Sequence, residues 1–179
     1  MMDDGALKVP KKQVPVTLWV HPEGRVVGSM FVHFPGSDSS DGEQPWDVIN
    51  EAGDFVAIKL DEPEEMRFYN KSSVVRVEYR DGATLLLAEG RPLPCMITMM
   101  DGSLIEGDIC KATPVERSRL YDYMNDTSER FLNLRSHDVE VMLVNKSYVV
   151  YIGAVDARSR NVAESGGMVA AREPLALVA

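Results

Sequence analysis

This sequence is short of almost everything that announces chemistry. It has two cysteines, Cys95 and Cys110, and so no disulfide framework of the kind that staples small secreted domains. If Asp101-Gly102 closes a two-residue hairpin, Cys95 faces Asp108 and Cys110 is its diagonal neighbour. Diagonal pairs lie about 7–8 Å apart, too far for a relaxed disulfide, so both thiols are expected to be reduced. The three histidines, His21, His33 and His137, stand alone and at no metal-ligand spacing. No run of about 18 apolar residues is present, so no spanning helix is expected. Residues 1–13 hold no apolar stretch of signal-peptide length. These absences lead us to expect a cytoplasmic protein without membrane partners. Gly102 and Gly107 do not make a phosphate-binding loop, because no Lys-Ser/Thr follows the second glycine. No catalytic cluster, cofactor motif or metal site is read, and a non-enzyme is expected. Basic residues are also scarce: 19 Lys and Arg face 28 Asp and Glu, a formal net charge of -9. Proteins devoted to nucleic acid usually carry the opposite field, and adsorption to anionic lipid is disfavoured for the same reason.

What is present is a repetition. Trp46-Asp47-Val48-Ile49-Asn50 recurs as Tyr121-Asp122-Tyr123-Met124-Asn125, and Asn70-Lys71-Ser72 recurs as Asn145-Lys146-Ser147. Both recurrences have an offset of 75 residues, and residues 66–77 lie over 141–152 without a gap, with five identical positions. Upstream, Gly24 and Gly28 answer to Gly102 and Gly107. Each copy spans about 65 residues, a size whose core is thin when it stands alone. The copies are therefore expected to pack on each other or on partner chains.

The local pattern is that of short strands. Val16 to Val20, Val26 to Phe34, Phe55 to Leu60, Met66 to Tyr69 and Val74 to Tyr79 read as strands of the first copy. Met96 to Met100, Leu104 to Cys110, Phe131 to Leu134, Val141 to Val144 and Val149 to Ile152 repeat them. Residues 46–52 and 120–125 read as short helical turns, and 35–45 and 112–119 as loops. Five short, curved strands suit a small barrel that closes its own edges. The expected organisation is a polar tail over 1–13, a first barrel over 14–79, a connector over 80–93, a second barrel over 94–153 and a disordered tail over 154–179. In the connector, Leu85-Leu86-Leu87 is expected to be buried between the barrels. In the last tail, Leu175 to Ala179 offers an apolar stretch that suits docking on a sheet edge.

The second copy resembles the Sm-like barrel family, which includes the Sm, LSm and Hfq proteins. The first motif of that family couples an apolar strand, an Asp-Gly turn, a second glycine and an Asp…Asn pair. Here Ile97 to Met100, Asp101-Gly102, Gly107, Asp122 and Asn125 take those places. The second motif is an Arg-Gly pair between apolar strands, and Leu143 to Ile152 has that shape with Asn145-Lys146 at its centre. Asp122 and Asn125 are three apart where the family usually has four. The resemblance covers 95–152 and, more weakly, 16–79. It implies a mainly β chain of two tandem five-stranded Sm-like barrels packed together.

Two readings of the repeated polar residues stand side by side. In the Sm-like family the matching loops stack a base and hydrogen-bond its edge. By that resemblance Asp47, Asn50, Asn70, Lys71, Asp122, Asn125, Asn145 and Lys146 are candidate RNA-binding residues. An Asn amide offers donors and an acceptor to a base edge, and Lys71 or Lys146 suits a phosphate. Trp46, Tyr121 and Tyr123 offer stacking faces. The other reading is structural: Asp caps backbone N–H groups at irregular turns, and Asn tolerates the backbone of tight bends.

Function is accordingly read in this order. The first expectation is a non-enzymatic interaction or scaffold module that assembles with itself or with protein partners. Sm-like units tend to continue one sheet into the next, so three chains would close a six-unit ring. The second is an RNA-binding regulator, disfavoured by the acidic charge. The third is a binder of a nucleotide second messenger through Arg117 and Arg119.

Overall fold

The computed structural model describes residues 11–33, 42–80, 92–109, 120–136 and 140–155. The first copy contributes β1 (Lys11–Val20), β2 (Gly24–His33), α1 (Pro45–Asn50), β3 (Phe55–Leu60), β4 (Glu65–Asn70) and β5 (Val74–Arg80). The second contributes β6 (Leu93–Met99), β7 (Leu104–Ile109), α2 (Leu120–Asn125), β8 (Phe131–Arg135), β9 (Glu140–Asn145) and β10 (Val149–Ala154). The chain is mainly β, and the order of elements repeats, as the sequence implied. β1 reaches back to Lys11, which pairs with His33, so the strand begins inside the segment expected to be a tail. The leucine run 85–87, Arg117, Arg119, Cys110, His137 and the segment 156–179 lie outside the described residues.

The way the copies join differs from two self-closed barrels. All ten strands form one antiparallel sheet in the order β10-β6-β7-β8-β9-β5-β1-β2-β3-β4. Within each copy the fifth strand pairs with the first, and the fourth ends the row. The copies meet where β9, a fourth strand, pairs with β5, a fifth strand: Arg76 faces Val144, Val77 faces Leu143, Glu78 faces Met142 and Tyr79 faces Val141. The sheet is therefore open. Among the described residues β4 pairs with β3 alone and β10 with β6 alone. Backbone groups on a fourth and a fifth strand satisfy each other across the copies, and this pairing replaces the barrel closure expected within each copy.

Glycines set the bends at corresponding places. Gly24 (φ 92) and Gly102 (φ 80) end the tight loops after the first strand of each copy, in a backbone region costly for other residues. The second loop holds three residues, Met100 to Gly102, because the Met99 N–H reaches the Ser103 carbonyl at 2.9 Å. A three-residue loop with a left-handed glycine is a favoured hairpin closure. It moves the register by one from the two-residue expectation, so Cys95 faces Gly107 rather than Asp108. Gly28 and Gly107 lie where the second strand passes close to the third. A Cβ on Gly28 would overlap the Lys59 carbonyl oxygen, and one on Gly107 would stand 2.9 Å from that of Arg135.

Alternating burial along the strands builds two apolar clusters. One gathers Leu18, Met30, Ile49, Ile58, Val74 and Val77 of the first copy with Phe131, Val141 and Leu143 of the second. The other lies within the second copy around Ile97, Met99, Leu134 and Val144 and accepts Val75 from the first. The junction is thus core, and each buried Leu or Phe there contributes about 1.5–3 kcal/mol.

Candidate interaction site at the repeat junction and the open edges

α1 starts where Gln44 and Asp47 form a capping box with Pro45 inside the first turn. The Gln44 N–H donates to Asp47 Oδ2 at 2.9 Å, so Asp47 satisfies a helix terminus. The cap of α2 that would involve Asp122 lies outside the described residues. Each helical turn ends on a lysine from the Asn-Lys-Ser segment. Lys71 Nζ donates to the carbonyls of Val48 and Glu51, both at 2.9 Å. Lys146 Nζ donates to those of Tyr123 at 2.8 Å and Asp126 at 2.7 Å. The two carbonyls are the same pair at the repeat offset. A cation at a helix C-terminus meets the negative end of the backbone dipoles and supplies donors to carbonyls that lack helical partners. Lys71 is 3% exposed. Its burial lowers its pKa, against the smaller attraction of Glu51.

The asparagines separate the two copies. Asn145 is fully buried at the junction. Its Oδ1 accepts from the Ser147 N–H at 3.0 Å, and its Nδ2 donates to the carbonyls of Lys71 at 3.2 Å and Val74 at 2.8 Å. Asn70 makes the first of these bonds, accepting from the Ser72 N–H at 2.8 Å, and is exposed on the edge strand β4. Asn50 and Asn125 each donate to the carbonyl four residues back, Trp46 at 3.3 Å and Tyr121 at 2.8 Å. Asn50 Oδ1 also accepts from the Phe131 N–H at 2.9 Å, across the junction.

The eight candidate residues therefore do not converge on one pocket. Asn50, Lys71 and Asn145 meet at the repeat junction, with Asp47 at the far end of the same helix. Asn70, Asp122, Asn125 and Lys146 are their counterparts toward the two open edges. The roles seen are caps, turns and cross-strand bridges, the structural reading of these residue types.

The exposed apolar residues near the two ends of the sheet were not among the candidates expected from the sequence. Phe55 is 60% exposed, Met66 45% and Phe68 70%. On the opposite edge Val150 and Tyr151 are exposed. There β10 and α2 border a cavity of about 410 Å³ lined by Leu120, Tyr121, Met124, Val149, Tyr151 and Ile152. The available signal was the repeat itself: at its offset Met66 and Phe68 fall on Val141 and Leu143, which are core.

Among the described residues no cluster of three or more His, Cys, Asp and Glu is placed to hold a metal ion. No described helix is long and apolar enough to cross a membrane. No protein-family model matches the chain, and neither a curated protein nor a solved structure matches it.

Proposed function

We propose that this protein is a non-enzymatic interaction module that recruits protein chains, copies of itself or others, by strand addition at the two ends of its sheet. The observation that carries the reading is the open order of the sheet. Among the described residues both edge strands have one pairing partner each, and their outer sides lie beside large exposed apolar side chains, Phe55 and Phe68 at one end and Val150 and Tyr151 at the other. A long apolar edge is a template for another strand, and strand addition is a common mode of peptide and protein recognition. The Sm-like resemblance belongs to the same proposal, since it implies units that continue one sheet into the next.

RNA binding has less support. The amines of Lys71 and Lys146 already donate to two carbonyls each, and Asn145 is buried. A phosphate or a base edge would have to displace those bonds. Amide hydrogen exchange at β4 and β10, from dilute to concentrated protein, tests the proposal beside anisotropy with short single-stranded RNAs at low salt. Protection of both edges that rises with protein concentration, with no RNA bound, is expected. Salt-sensitive RNA binding by a protein whose edges exchange freely would overturn it.

A further inference from the structure

We infer that the outer face of the first copy is a docking surface for a short acidic segment of a partner protein, whose carboxylate meets Arg25 and Arg76 beside Trp19 and whose apolar side chain enters the adjoining cavity over Val27. This goes beyond the edge-docking reading, because β1, β2 and β5 stand inside the row of strands and the open ends are β4 and β10.

The surface is built from cross-strand neighbours. Trp19 on β1 faces Arg25 on β2 and Arg76 on β5. Residues directly opposite each other share one side of a sheet, so these three form a row on the side away from Leu18 and Val26, which are core. The Arg76 guanidinium carbon stands 4.0 Å from the Trp19 ring centroid, and Arg76 Nε lies 3.1 Å from a Glu78 carboxylate oxygen. Both contacts hold Arg76 in place before a ligand arrives. Arg25 is exposed. The next row on the same face is Val27, Thr17 and Glu78. Val27 is 46% exposed, and with Pro15 and Thr17 it lines a cavity of about 400 Å³ that Glu78 and Arg80 border. Two residues of extended chain span about 6.6 Å, in the sheet and in a ligand lying along it. An acidic residue at the arginine row therefore places the residue two positions away over Val27.

Folding alone does not call for this row. Gly28 faces Val16 and Gly107 faces Cys95, which aligns Trp19 with Thr98 and Arg25 with Leu104. At the repeat offset Arg76 falls on Tyr151. In the second copy Leu104, Thr98 and Tyr151 form the same row across β7, β6 and β10 without a charge in it.

Charge decides the partner. The chain carries -9 overall, yet this face gathers Arg25, Arg76 and Arg80 around Glu78. Arg76 already draws carboxylates: Glu78 on its own strand, and Asp101 of the second copy, whose carboxyl is lowered first by Ser103 and to a smaller extent by Arg76. Arg25 faces Trp19 from the other side and offers the planar fork that a carboxylate fits. A nucleic-acid strand suits the face less. It brings a phosphate with every nucleotide to an acidic chain, and Arg76 already covers one face of the Trp19 ring.

Fluorescence anisotropy of labelled hexapeptides tests the inference. Each carries Asp or Glu two positions from Leu or Phe, and controls carry Lys in place of the acid. The full chain is compared with Arg25→Leu and with Arg25→Leu/Arg76→Tyr, which import the second copy's residues. Circular dichroism checks that both variants fold, and the first changes only an exposed side chain. Saturable binding of the acidic peptides alone is expected, weakened by salt and weakened about 10-fold or more by Arg25→Leu, as loss of a charged hydrogen bond implies. Amide exchange at β4 and β10 is expected to be unchanged by the peptide. Failure of every acidic peptide to bind at millimolar concentration would overturn the inference, as would equal binding by Arg25→Leu. Peptide protection appearing at β4 or β10 would assign the peptide to the open edges instead. Tighter binding of a labelled single-stranded decanucleotide, lost in Arg25→Leu, would replace the acidic segment with nucleic acid. The edge-docking reading is tested apart from all of these, by exchange at β4 and β10 against protein concentration without peptide.

Discussion

Phe55 and Phe131 hold one position in the two copies, each opposite the asparagine that ends the following strand, yet Phe131 is fully buried and Phe55 is 60% exposed. The difference is the neighbour: Phe131 has the first copy's core beside it, and beyond Phe55 the described sheet ends with β4. Phe131→Ala is expected to cost about 3–5 kcal/mol, as large-to-small changes in cores do. Phe55→Ala in dilute protein is expected to stay within about 0.5 kcal/mol. Urea denaturation of the two variants checks the contrast.

Asn145 and Asn70 form the polar version of that pair. Asn145→Ala strips the Lys71 and Val74 carbonyls of a buried donor, and a loss of about 1–3 kcal/mol is expected. Asn70→Ala is expected to leave the melting temperature of dilute protein unchanged and to lower the mass seen at high concentration. Calorimetry and light scattering read the two effects separately.

Lys71→Met removes both donors from the end of α1. Charged hydrogen bonds are worth about 1.5–3 kcal/mol, and a loss in that range is expected at neutral pH. The pH dependence has a definite sign. Burial lowers the Lys71 pKa from 10.5 in the folded chain, so between the folded value and 10.5 the unfolded chain binds more protons. Stability from this group therefore rises with pH across that window. The gap between wild type and Lys71→Met should widen as pH climbs from neutral toward 10.5, measured by denaturant titration at each pH.

Gly28→Ala and Gly107→Ala probe the close passage of the second strand over the third. Each new Cβ meets a backbone carbonyl oxygen, of Lys59 or of Arg135, and backbone cannot swing away as a flexible side chain can. Overpacking of this kind costs about 1–3 kcal/mol. The larger loss is expected at Gly28, where the overlap is tighter. Thermal unfolding ranks the two.

Much of the fold was legible because local chemistry repeats. The strand Phe55–Leu60 and the turn Leu120–Asn125 follow from alternation and spacing alone, and the paired glycines mark the same loop and the same close approach in each copy. The candidate site was legible in its members and not in their roles. Lys71 and Lys146 were visible as a repeated cation. That each one reaches back to the carbonyls at the end of a helix more than 20 residues earlier is set by where the turns before β5 and β10 lie against the helix ends.

The sequence by itself determined a duplicated β-rich unit, its turns and its alternation of buried and exposed faces, because these depend on neighbours a few residues apart. Tertiary structure alone decided that the copies share one open sheet, since an unpaired strand edge carries no side-chain signature and is satisfied by whichever backbone lies beside it. It also decided that Leu143 lies in the core while Phe68, its counterpart, stands at the open end. Burial belongs to a position in the assembled sheet, and the same residue type at the same place in the repeat is core or edge according to what pairs with it.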